Sequence, residues 1–115
     1  MRLPYVPNPP QPNNSDEEAI VNRLVARRAP GPLQSLDLTL LHAPGITDGW
    51  ASFLGAVRNK SCLPADRREV AILRVAAILD SKYEINEHTP YAQKAGVSDQ
   101  ALKEISEGKR MEDKD

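Results

Sequence analysis

The chain has 115 residues, a formal net charge of -1 and 27% charged side chains. That length fits one domain and leaves no room for two; the near-neutral balance lacks the clustered Lys and Arg that phosphate binding requires, so no nucleic-acid partner is expected. No apolar run approaches the ~20 residues of a membrane helix and no apolar signal core opens the chain, so no membrane partner and a cytoplasmic location are expected.

Aromatic residues make up only 4% of the chain. The core must therefore come from Leu, Ile, Val and Ala, a palette that favours helix packed on helix. Cys62 is the single cysteine. It allows no internal disulfide and no multi-cysteine zinc site, and it reads as a plain thiol in a loop.

Residues 1–14, MRLPYVPNPPQPNN, are crowded with proline, which lacks a backbone donor and disfavours helix in the residue before it. An extended arm is expected, either disordered or anchored through Leu3, Tyr5 and Val6. Ser15 with Glu18 reads as a capping box, and Asp16 and Glu17 suit the positive end of a helix dipole. Ile20, Val21, Leu24 and Val25 define the buried stripe of this first helix, and Pro30-Gly31-Pro32 ends it. Arg23, Arg27 and Arg28 are the nearest approach to a basic cluster, and they read as a solvated helix face.

LQSLDLTLLHAP fits a strand through Leu36, Leu38 and Leu40, and a helix through Leu33, Leu36, Leu40 and Leu41. Helix is preferred, because a lone strand would leave its backbone groups unpaired. Ile46, Trp50, Phe53, Leu54 and Val57 mark the next amphipathic helix. Trp50 and Phe53 are expected in the core, with a substrate pocket as the alternative for both. Pro64 opens a further helix in which Val70 to Leu79 is apolar on nearly every side, which predicts a central place in a bundle. Asp80-Ser81 is a weak break before a helix over Tyr83 to Lys94, with Pro90 constraining its middle. Gly96 suits a helix C-cap and Ser98 an N-cap for a short final helix holding Ala101, Leu102 and Ile105. The organisation expected is an arm over 1–14, a helical domain over 15–107 and a polar tail over 108–115.

Glu69, Glu84 and His88 are the polar residues that stand out among these apolar helices. Glu84 and His88 are four apart and share a helix face. A carboxylate beside an imidazole orients the ring and suits the pair to general acid or base work. An isolated Glu-x-x-x-His is nevertheless usually a surface pair, and whether Glu69 joins it depends on the bend at Asp80-Ser81. His42 lies at a helix end, where it is expected to bond the last carbonyls. Nothing in the spacing demands a metal site from His42, His88 and Glu84, and no metal is assigned.

The stretch Leu63–Ile105 resembles the signature helical hairpin of the carboxymuconolactone decarboxylase and alkyl hydroperoxidase D superfamily. The matching features are Glu69 heading an Ala/Val/Leu-rich helix, the Tyr83-Glu84 step, His88, and the Ala95-Gly96-Val97-Ser98 turn. The preceding DGWASFLGAVRNKSCLPAD and the RLPY start are similar to a fungal-type subset of that family. Aligned on Glu69 and His88, the Cys-x-x-Cys pair of the peroxidase branch falls at Ser81 and Glu84, neither a thiol, so the resemblance points to the decarboxylase-like branch. It implies an all-α, alkyl hydroperoxidase D-like bundle built on a central hairpin. Because relatives continue with further helices, it also implies a fold incomplete at the C-terminus. It implies a lyase that uses no metal or organic cofactor on a small carboxylic acid, of lactone or polyketide type, and a homo-oligomer. In that reading His88 is the general acid/base, Glu84 or Glu69 orients it or relays its proton, and Arg68 or Arg74 binds a carboxylate, with Tyr83 and Trp50 beside the substrate. The alternative is a non-catalytic or truncated helical oligomerisation module of the same family.

Overall fold

Capping residues and prolines divide the described residues into six helices: α1 (Ser15–Arg28), α2 (Ser35–Leu40), α3 (Pro44–Asn59), α4 (Ala65–Ile78), α5 (Lys82–Lys94) and α6 (Asp99–Ser106). The computed structural model describes residues 2–108. The tail expected over 108–115 lies outside them except for Gly108. Among the described residues there is no strand, so the fold is all-α. No helix among them is long and apolar enough to cross a membrane. The helices fall into two compact units, Met1–Ser61 and Cys62–Asp115.

In the first unit α3 packs against α1 and α2. The cap of α1 lies one residue earlier than the Ser15–Glu18 spacing predicts. Asn14 accepts the Glu17 N–H at 2.9 Å, and Glu17 Oε2 accepts from the Asn13 N–H at 2.8 Å. Asparagine caps at least as well as serine, and Glu17 supplies the reciprocal bond. The proline-rich arm is held by its main chain. The Val6 N–H donates to the Leu38 carbonyl at 3.2 Å, and His42 Nε2 donates to the Pro4 carbonyl at 2.6 Å. Leu3 and Tyr5 stay exposed. His42 thus serves the arm and not the last carbonyls of α2.

Asp37 is a polar centre of this unit, buried beside Leu24, Leu38 and Leu41. It receives both Nε (2.9 Å) and Nη2 (2.8 Å) of Arg28, and its Oδ2 accepts the Gln34 N–H at 2.8 Å. One carboxylate therefore caps α2 and ties it to the end of α1. Sequence patterning places Trp50 and Phe53 in the core, but the structure leaves them 42% and 65% exposed. With Ile46 and Val57 they form a stripe along α3. The helix instead buries Thr47, whose hydroxyl donates to the Leu40 carbonyl at 2.6 Å. The reason is which side of α3 is met: α1 packs on the side that carries the small residues Thr47, Ala51 and Gly55, which leaves Trp50 and Phe53 outside that contact.

In the second unit α4 packs on α5 and α6. Leu73, Ala92 and Ile105 form its core, flanked by Val70, Val97 and Leu102. Burying a side chain such as Leu73 contributes about 1.5–3 kcal/mol. Within this unit α5 and α6 cover the face of α4 that carries Glu69, Leu73 and Ala76. Val75, Ile78 and Leu79 are exposed, so α4 is not enclosed on every side as its apolar run predicts.

Both α4 and α5 end in the same way. After α5, Gly96 takes φ +93°, and the Val97 N–H reaches the Ala92 carbonyl at 3.0 Å. This is the six-to-one bond of a Schellman turn, which favours glycine at the left-handed position. After α4, Asp80 fills the corresponding position at φ 51°, and the Ser81 N–H bonds the Ala76 carbonyl at 2.8 Å. This turn reverses the chain and lays α5 against α4.

The C-terminal end of α6 is held by Arg74 from α4. Its Nη1 donates to the Ile105 carbonyl at 3.2 Å and its Nη2 to the Gly108 carbonyl at 2.8 Å. A cation is favourable at this negative helix end. Arg74→Ala is expected to destabilise the second unit by about 1–2 kcal/mol, with amide exchange rising first in α6. Unchanged protection over Asp99–Ser106 would count against this clamp.

Candidate active site

The turn at Asp80-Ser81 brings His88 of α5 to Glu69 of α4, nineteen positions away in the chain. His88 Nδ1 lies 2.7 Å from Glu69 Oε2. The carboxylate can only accept, so Nδ1 carries the proton and the ring orientation is set. Glu69 Oε1 accepts from Arg68 Nε at 3.3 Å, which occupies its second oxygen. The side chains of Glu69 and His88 are 3% and 7% exposed.

The opposite ring nitrogen, Nε2, lies 3.4 Å from Glu84 Oε2, one turn earlier on α5. Glu84 differs from Glu69 in environment, with a side chain 41% exposed. The imidazole thus stands between a buried carboxylate that holds it and a partly exposed one. Tyr91, one turn further along α5, places its ring 6.0 Å from His88 at an interplanar angle of 49°. Its spacing of three from His88 was the available signal for it in the sequence.

Glu69, Glu84, His88 and Arg68 are therefore gathered at one place. Tyr83 adjoins Glu84 on α5 and is about two-fifths exposed. Arg74 is directed to the α6 carbonyls. Trp50 belongs to α3 in the first unit. Cys62 is exposed, and Ser81 is the N-cap residue of α5. Among the described residues, no group of three or more His, Cys, Asp or Glu side chains is arranged to hold a metal ion.

The two paired helices that carry Glu69 and His88 lie within a sequence match. The carboxymuconolactone decarboxylase family model matches residues 44–110, more than half of the chain. The chain belongs to this family. The match to the carboxymuconolactone decarboxylase family takes in α3 to α6 and every residue of the Glu69–His88–Glu84 cluster. No curated protein and no solved structure matches the chain.

Proposed function

We propose that residues 15–107 form a decarboxylase-like lyase that acts on a small carboxylic acid, of lactone or polyketide type, by general acid/base chemistry at His88. The observation that carries this reading is the bridged imidazole. Nδ1 is held at 2.7 Å by a buried carboxylate, while Nε2 faces a half-exposed one at 3.4 Å. Loss of CO2 breaks a carbon–carbon bond and leaves its electron pair on the substrate as a carbanion or dienolate. As the imidazolium, with a second proton taken up on Nε2 from solvent, His88 delivers that Nε2 proton to this carbon while Nδ1–H stays hydrogen-bonded to Glu69. Glu69 holds the ring in place, and Glu84 swings aside for substrate and returns a proton from solvent. Arg68 adjoins the centre and is the proposed partner of the substrate carboxylate. No step in this scheme uses a metal or organic cofactor.

The test is release of CO2 from a panel of small lactone acids and polyketide-type acids, with His88→Gln as the comparison. Turnover lost in the variant supports the proposal; equal turnover in both proteins, or none by the wild type across the panel, overturns it.

A second reading, a helical oligomerisation module, is favoured by the exposed stripe Ile46, Trp50, Phe53 and Val57 and by exposed Val75, Ile78 and Leu79. Such faces commonly mark association sites. A homo-oligomer is proposed under either reading, and light scattering on a sizing column is expected to give a discrete mass above the 12.7 kDa monomer. A monomeric peak would remove the second reading. It would leave the catalytic one to stand on turnover alone.

A further inference from the structure

His88 is buried although its neighbours one turn away on the same face of α5 are not. Glu84, four positions before it, has a side chain 41% exposed, and Tyr91, three positions after it, is 47% exposed. The His88 side chain between them is 7% exposed. On one side the ring meets α4, where Nδ1 lies 2.7 Å from Glu69. Two side chains of α5 adjoin it as well, Glu84 at Nε2 and Tyr91 beside the ring.

Helical geometry separates the parts these two play. A side chain in an α-helix leans toward the N-terminus, so it lies over the turn that precedes its own Cα. Tyr91 therefore leans over His88, while His88 leans in turn toward Glu84. The Tyr91 and His88 ring centroids are 6.0 Å apart, within the range of about 4.5–7 Å for packed aromatic pairs. Tyrosine suits a cover of this kind, because its apolar body can shield a neighbour while its hydroxyl stays in water.

We propose that Tyr91 is the specificity-determining residue of this site: its ring shields the His88 imidazole and limits the width of the molecule that reaches Nε2. The shielding is a property of the fold; its effect on substrate choice rests on the acid/base role proposed for His88. When Glu84 swings aside, Tyr91 remains as a fixed wall of the opening. An unbranched or planar acid passes this wall. An acid branched beside the carbon that takes up the proton is turned away.

The shield is read without turnover, by labelling the full chain with diethyl pyrocarbonate and locating the product by peptide mass spectrometry. Imidazole nitrogen bonds to a carbonyl carbon of the reagent, ethyl carbonate leaves and the ring loses its proton. The chain has two histidines, and exposed His42 is the internal reference. In the wild type His88 is expected to react about tenfold more slowly than His42, or slower still. Tyr91→Leu and then Tyr91→Ala are expected to raise the His88 to His42 ratio stepwise, to about tenfold for alanine. Tyr91→Phe keeps the ring and should hold the wild-type ratio. Circular dichroism checks that each variant is folded, and the leucine variant carries the test should alanine fail to fold. Arg74→Ala loosens the same unit without touching the ring, and should leave the ratio near that of the wild type.

Equal labelling of both histidines in the wild type would overturn the shield. So would an unchanged ratio in folded Tyr91→Leu or Tyr91→Ala, a Tyr91→Phe ratio like that of alanine, or the same rise in Arg74→Ala. For acids that are turned over, Tyr91→Ala is expected to raise kcat/KM of a branched acid relative to an unbranched one by about tenfold. An unchanged preference would overturn the part of Tyr91 in specificity. The expected labelling without any turnover would support the shield and count instead against the reaction proposed for His88.

Discussion

His88→Ala is expected to lower turnover by about 10²–10⁴-fold, the usual contribution of a positioned general acid or base. The loss should appear in kcat, because the proton is delivered in the transition state and not in substrate binding. The alanine variant also leaves buried Glu69 with Arg68 as its remaining hydrogen-bond donor among those described above. Some stability is therefore expected to go with activity. His88→Gln retains a donor toward Glu69 and separates the two effects: helicity by circular dichroism is kept while turnover is lost. Glu84→Gln is expected to produce a smaller loss, since its carboxylate is half exposed and water can replace it in proton exchange. Retained turnover in a folded His88 variant would sink the assignment of this residue.

Asp37→Ala is expected to cost about 3–5 kcal/mol, the range for breaking a buried ion pair by removing one partner. The Asp37 side chain is 2% exposed and that of Arg28 13%, so the stranded guanidinium would have little water to turn to. The same substitution removes the acceptor for the Gln34 N–H and with it the cap of α2. Against a total stability of about 5–15 kcal/mol for a typical domain, this loss threatens the first unit as a whole. Urea denaturation followed by circular dichroism reads it directly. Asp37→Asn keeps an acceptor for the cap and should lose less. Replacing Arg28 and Asp37 together by Met and Leu should recover most of the loss, because no charge is then left buried. A loss below about 1 kcal/mol for Asp37→Ala would show that the pair does not hold α1 to α2.

Much of the helical outline was legible in the chain itself. Proline and capping residues act on their immediate neighbours, so the helix starting after Pro64, the Gly96 turn and the Ser98 cap of α6 follow from local chemistry. Even where the Ser15 reading was displaced, the true cap was the adjacent Asn14, which offers the same kind of acceptor. The Glu84–His88 proximity was legible for a similar reason, because a spacing of four lies on one helix face. The all-α class followed from periodicity and from the lack of a partner for any lone strand.

Contacts that cross between helices could not be read in this way. Leu73 and Val75 look alike in an apolar run, yet only the first meets α5 and α6. Trp50 and Phe53 looked like core, and the packing of α1 on the side of α3 that carries Thr47, Ala51 and Gly55 left them outside. The ion pair of Asp37 with Arg28 joins two helices across a proline-rich turn, and no periodic pattern announces it. The union of Glu69 with His88 depends on a single reversal at Asp80, a residue in a left-handed conformation that glycine adopts more readily. Local sequence determined where the helices start and stop and which residues share a face, because those forces act within one or two turns. The tertiary structure decided which faces meet, and with them which carboxylate holds His88, because that rests on the packing of distant segments.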